Sequence, residues 1–89
     1  MEKNVVLVGS KPLSKYIYAL TEALKSGKAV IKARGRHISK AVTLEEIVKN
    51  KGLANYRVTK IDISTVKLKS TDGTEKSVSQ IEIHVEVNK

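Results

Sequence analysis

The chain has 89 residues, no cysteine, 40% hydrophobic and 29% charged residues, and a formal net charge of +8. This composition excludes a disulfide framework and a thiolate zinc site and argues against disorder. A chain of this length buries only about 60–65% of its unfolded surface, so residues 1–89 read as a single domain that a partner subunit would help to stabilise. The charge points to a polyanionic partner and is unevenly spread: Lys3 to Leu44 contains nine Lys or Arg residues and one acid, Glu22. The longest apolar run, Val5 to Val8, is far short of the roughly 20 residues that span a bilayer, which predicts a protein neither anchored nor exported.

Asn4 to Val8 is a short β-branched run closed by Gly9, read as a strand buried on both faces. Pro12 suits the first turn of a helix, with Ser10 or Lys11 at the cap. Leu13, Tyr16, Ile17, Leu20 and Leu24 then fall on one helical face, and Gly27 ends the run as a left-handed cap. Ala29 to Ala33 is a second strand, parallel to the first through a right-handed crossover. Ile38, Ala41, Val42 and Val48 mark a second helix closed by Asn50 to Gly52.

The second half changes period. Ile61 and Ile63 alternate with polar residues, then the apolar positions move to Val66 and Leu68, the shift that a bulge near Ser64 or Thr65 would produce. Asp72-Gly73 reads as a two-residue hairpin turn, and Ile81, Ile83, Val85 and Val87 alternate with Glu82, His84 and Glu86. With no apolar residue between Ser70 and Ser77, the hairpin tip should project into solvent as a mobile arm carrying Lys67, Lys69 and Lys76. The order βαβαββ describes an α/β (α+β two-layer) sandwich, a four-stranded mixed sheet against two helices with a long basic hairpin.

The segment KARGRHISKA packs Lys32, Arg34, Arg36 and Lys40 around Gly35, with no carboxylate near in sequence. Gly35 lets the backbone turn sharply, and the N–H groups of the helix that follows are ready phosphate donors. A planar guanidinium grips phosphate with two parallel hydrogen bonds, so Arg34 and Arg36 are the more informative cations. Such runs are also commonly just the solvated face of a loop. Lys11, Lys15, Lys67, Lys69 and Lys76 favour the binding reading, because they add basic segments able to flank the same surface.

Other chemistry finds little footing. With no Phe or Trp, and Tyr16, Tyr18 and Tyr56 dispersed, the stacking platform of single-strand readers is missing. Tyr16 lies on the apolar stripe and reads as core, whereas Tyr18 lies off it. His37 and His84 have no metal-ligand spacing around them, and Glu45 and Glu46 read as helix-surface charges rather than a general acid and base. The sequence predicts no catalytic site, metal, cofactor or small-molecule substrate.

The segments VLVGSKPLSKYI, VIKARGRHISKAVTLEEIVKN and STDGTEKSVSQIEI resemble, in order, the opening, central block and hairpin of the Alba family of small archaeal chromatin proteins. The resemblance implies a fold similar to the C-terminal domain of bacterial translation initiation factor three. It also implies a homodimer, with a related paralogue as an alternative partner, that binds double-stranded DNA and RNA with little sequence preference in the cytoplasm on the chromosome. The family's lysine pair before the first helix matches Ser10 and Lys11, so its acetylation switch has no substrate at Ser10 and is absent or moved to Lys11. The family's turn arginines map onto Arg34 and Arg36, and its basic arm onto Lys67, Lys69 and Lys76. Gly52, with Leu53 after it, stands where some members carry a bulky apolar residue that packs dimers side by side along DNA, which argues against cooperative filaments. The alternative is an RNA-binding or protein-interaction subunit of a ribonucleoprotein assembly.

Overall fold

The computed structural model describes residues 4–52 and 54–88; Leu53 lies outside them. In chain order it contains β1 (Val5–Val8), α1 (Leu13–Ala23), β2 (Lys28–Arg34), α2 (Ile38–Asn50), β3 (Tyr56–Lys69) and β4 (Glu75–Val87), with 3-10 turns at Leu24–Ser26 and Gly35–His37. The four strands form one sheet in the order β1-β2-β4-β3. β1 and β2 are parallel, and the other two pairings are antiparallel.

Register explains the core. Val6 lies beside Ile31 and Ile31 beside Ile83; Val8, Ala33 and Ile81 form the next row, and Ala29 pairs with Val85. Partners directly opposite share a face, so these buried residues make one apolar layer. Tyr16 and Leu20 of α1, Leu24 after it, and Ala41, Leu44 and Val48 of α2 cover that layer. Full burial of a side chain such as Leu20, Ile31 or Leu44 stabilises the fold by about 1.5–3 kcal/mol.

Helix α1 buries the stripe its spacing predicts, and Gly27 (φ 104°) supplies the left-handed turn after it. Its cap differs: Pro12 is the N-cap residue and no side chain caps it, so neither Ser10 nor Lys11 has that role. In α2 the buried stripe is Ala41, Leu44 and Val48, while Val42 faces outward. β1 is covered on one face only, because both helices lie on the same side of the sheet; Leu7 is 65% exposed on the other.

The bulge lies earlier than the apolar pattern suggests. Register shifts between Val58 and Lys60 and then runs unbroken from Lys60 opposite His84 to Lys69 opposite Glu75. Ile61 and Ile63 therefore share the helix-side face with Ile83 and Ile81, and Val66 and Leu68 take the opposite face simply by strand alternation. No described residue covers edge strand β3 at this point, so Ile61 and Ile63 are 58% and 72% exposed. At its other end β3 is anchored by Tyr56, which is buried and donates its hydroxyl to the Glu45 carbonyl of α2 at 2.8 Å. Burial, aided by the neighbouring Glu45 carboxylate, pushes the Tyr56 phenol well above its ordinary range.

The hairpin turn holds three residues rather than two. Gly73 N–H donates to Ser70 O and Ser70 N–H to Thr74 O. Thr71, Asp72 and Gly73 (φ 89°) thus make a tight turn ending in a left-handed glycine. The Asp72 carboxylate accepts from both the Ser70 and Thr74 hydroxyls and from the Thr74 N–H, which lowers its pKa to about 2. The outer hairpin gives the molecule its elongated shape, 47 × 23 × 21 Å.

Candidate nucleic-acid interface

The parallel pairing of β1 with β2 sets both strands' C-terminal ends side by side, Val8 opposite Ala33. The loop Gly9–Pro12 and the turn Gly35–His37 therefore leave the sheet at the same end. Arg34 pairs with Gln80 there, where β4 emerges from the arm. One end of the molecule thus gathers Lys11 and Lys15, Arg34 and Arg36, and the root of the basic hairpin. Gly35 has φ 55°, a left-handed conformation that favours glycine and turns the chain from β2 into α2.

Most of these cations are free. Lys11, Lys15, Arg34, Arg36, Lys67, Lys69 and Lys76 are exposed, and among the described residues none has a carboxylate within 4.0 Å. Along the arm, register puts Lys67 and Lys69 on one face and Lys76, opposite Leu68, on the other. Arg34 is oriented as well as exposed, because its Nε donates to Gln80 Oε1 at 2.8 Å.

Two sequence-predicted cations are engaged internally. Lys32 is half-buried and its ammonium lies 3.6 Å from Glu82 of β4, directly across the β2–β4 pairing. The absence of a nearby carboxylate along the sequence does not hold in space, because sheet pairing brings one from fifty residues away. Glu82 also accepts from Gln80 Nε2 at 3.4 Å and lies 3.3 Å from His84 Nε2. The result is a polar row running Arg34, Gln80, Glu82 and then Lys32 or His84.

Lys40 is the other. From the first turn of α2 its half-buried ammonium donates to Gly9 O at 2.9 Å and to Lys11 O, and it lies 5.4 Å from the Tyr16 ring centroid. Tyr16 is core, as its spacing predicts, but its hydroxyl also accepts from Gly9 N–H (2.8 Å) and Lys11 N–H (3.1 Å). Gln80, Glu82 and the Tyr16 hydroxyl are the contributors sequence reasoning missed. Tyr18 is exposed and pairs only weakly with Glu22, at 3.5 Å.

The rest of the surface has a different character. On the open sheet face a shallow cavity of about 500 Å³ is lined by Asn4, Lys28, Thr59, His84 and Glu86 among others, mixing both signs of charge. Arg57 pairs with Glu86 at 3.5 Å and Lys60 with Asp62 at 3.4 Å. No helix among the described residues is long and apolar enough to cross a membrane.

Residues 4–65 match the family model described as Alba. The chain is 42% identical over 84 residues to the DNA/RNA-binding protein Alba of Methanocella arvoryzae, covering 92% of this chain and 88% of the relative. It is 45% identical over 85 residues to DNA/RNA-binding protein Alba 1 of Archaeoglobus fulgidus, covering 93% and 94%. Among solved structures, Alba from Thermoplasma volcanium superposes with a TM-score of 0.83 at 35% identity, covering 93% of this chain and 99% of that one.

Proposed function

The chain belongs to the Alba family, and on that footing we propose that it binds double-stranded DNA and RNA through their phosphate backbones, with little dependence on sequence. The observation that carries this reading is the convergence of exposed cations, free of carboxylates among the described residues, at the end of the sheet where the basic arm begins. Cations fixed on a rigid scaffold displace condensed counterions, and nothing in that step reads a base. Lys11, Lys15, Arg34, Arg36 and the backbone at Gly35 form the central contact, and Lys67, Lys69 and Lys76 extend it along the duplex. Lys32 and Lys40 add positive potential from behind this surface.

The active unit in this reading is a homodimer that compacts the chromosome in the cytoplasm, and a related chain can replace one protomer. The exposed pair Ile61 and Ile63 on edge strand β3 supports it, since burial against a second copy would remove apolar surface from water. Lys11, exposed and without an ion-pair partner among the described residues, is the lysine whose acetylation would weaken binding. The role is binding and not catalysis.

Charge reversal tests the site. Arg34→Glu and Arg36→Glu together weaken binding to duplexes of different sequence by similar factors. A double variant that binds bulk duplex as well as the parent would refute the site and point to a protein partner for this face.

A further inference from the structure

We propose that Lys40 is a positioning residue: it clamps the Gly9–Lys11 loop so that the exposed Lys11 side chain is presented to a phosphate, and takes no phosphate itself. This rests on the duplex-binding reading above. The loop between β1 and α1 has no side-chain helix cap to fix it. Instead, Gly9 and Lys11 each have both backbone polar groups satisfied by the same two side chains. Their N–H groups donate to the Tyr16 hydroxyl at 2.8 and 3.1 Å, and their carbonyls accept from the Lys40 ammonium, that of Gly9 at 2.9 Å. Tyr16 stands on α1 and Lys40 on α2, so the loop is tied to both helices at once.

The chemistry suits a clamp. An ammonium has three donors and no acceptor, so one group bonds both carbonyls at once. These are charge-assisted bonds, and the Tyr16 ring face beneath the ammonium adds attraction. A half-buried cation already bonded this way is poorly placed to leave for a phosphate, whereas Lys11 is exposed and has no carboxylate partner among the described residues.

Additivity distinguishes a clamp from a second phosphate ligand. The full-length protein is compared with Lys11→Ala, Lys40→Met, the double variant and Tyr16→Phe, by affinity for a DNA duplex across a salt series and by amide exchange at Gly9 and Lys11. The expected result is that each lysine substitution lowers the slope of log affinity against log salt by about 0.9, and that the double variant lowers it by about 0.9 as well. Lys40→Met and Tyr16→Phe both speed exchange at the two amides. Tyr16→Phe, which leaves the net charge unchanged, weakens binding in the parent but not in Lys11→Ala. A drop of about 1.8 in the double variant would make Lys40 an independent ligand and overturn the proposal. Unchanged exchange in Lys40→Met would overturn the clamp itself. Absence of duplex binding by the parent at low salt would overturn the interface reading and with it the presentation of Lys11.

Discussion

Replacing Glu82 by glutamine should tighten duplex binding and steepen its salt dependence. Glu82 lies 3.6 Å from the Lys32 ammonium, with side chains only 26% and 35% exposed, and a phosphate approaching Lys32 must compete with that carboxylate. A pair this close to the surface stabilises the fold by no more than about 1 kcal/mol. Glutamine has the same shape and can still accept from Gln80, so Glu82→Gln should remain folded. Once released, Lys32 counts as one further neutralised phosphate and steepens the slope by about 0.9. Raising salt from about 50 to about 200 mM should then cost the variant about 3.5-fold more affinity than it costs the parent. Fluorescence anisotropy on a labelled duplex of arbitrary sequence reads both quantities. Glu86→Gln is the control, because it makes the same charge change about 13 Å further along β4, away from the basic end, and should leave the slope unchanged. Equal effects from both variants would reduce the result to net charge. No effect from Glu82→Gln would mean that Lys32 does not face the ligand.

Three other outcomes follow from the packing. Ile63→Asp should leave the monomer fold intact and convert a sedimenting dimer to monomer, whereas a parent protein already monomeric at micromolar concentration would contradict the β3 interface. Tyr56→Phe removes the hydroxyl bond to the Glu45 carbonyl and should cost about 0.5–1.5 kcal/mol, measured by denaturant unfolding. The Asp72 carboxyl, held near 2 against an ordinary 3.8 by the Ser70 and Thr74 hydroxyls, favours the ordered turn at any pH above about 4. That contribution should fade as pH falls through 2; a Thr74 amide signal that titrates instead near the ordinary carboxylate value would contradict the turn geometry.

What could be read from the sequence was mostly local. The apolar stripe of α1, the left-handed Gly27, the sharp turn at Gly35 and the alternation of β4 each depend on residues a few positions apart, and each is found in the structure. Errors arose where a distant element decides the outcome. Leu7 is exposed because both helices pack on one face of the sheet, and the move from Ile61 and Ile63 to Val66 and Leu68 needs no bulge once the hairpin outruns the helices that would bury either face. The same holds for the candidate interface. Exposed Arg34 and Arg36 were legible from the KARGRHISKA run. The partners of Lys32 and Lys40 were not, because Glu82 arrives through the β2–β4 pairing and the Gly9 and Lys11 carbonyls through the approach of a loop to α2. Both partnerships are non-local, and two of the four cations in the run are committed to them.

The most direct test of the account is equilibrium binding of the full-length protein to an arbitrary DNA duplex and a matched RNA duplex, each across a salt series. Phosphate-backbone binding predicts comparable affinities for the two and a steep loss with salt on both. Binding to neither duplex at low salt, or affinity insensitive to salt, would contradict phosphate-backbone recognition by the Arg34 and Arg36 surface.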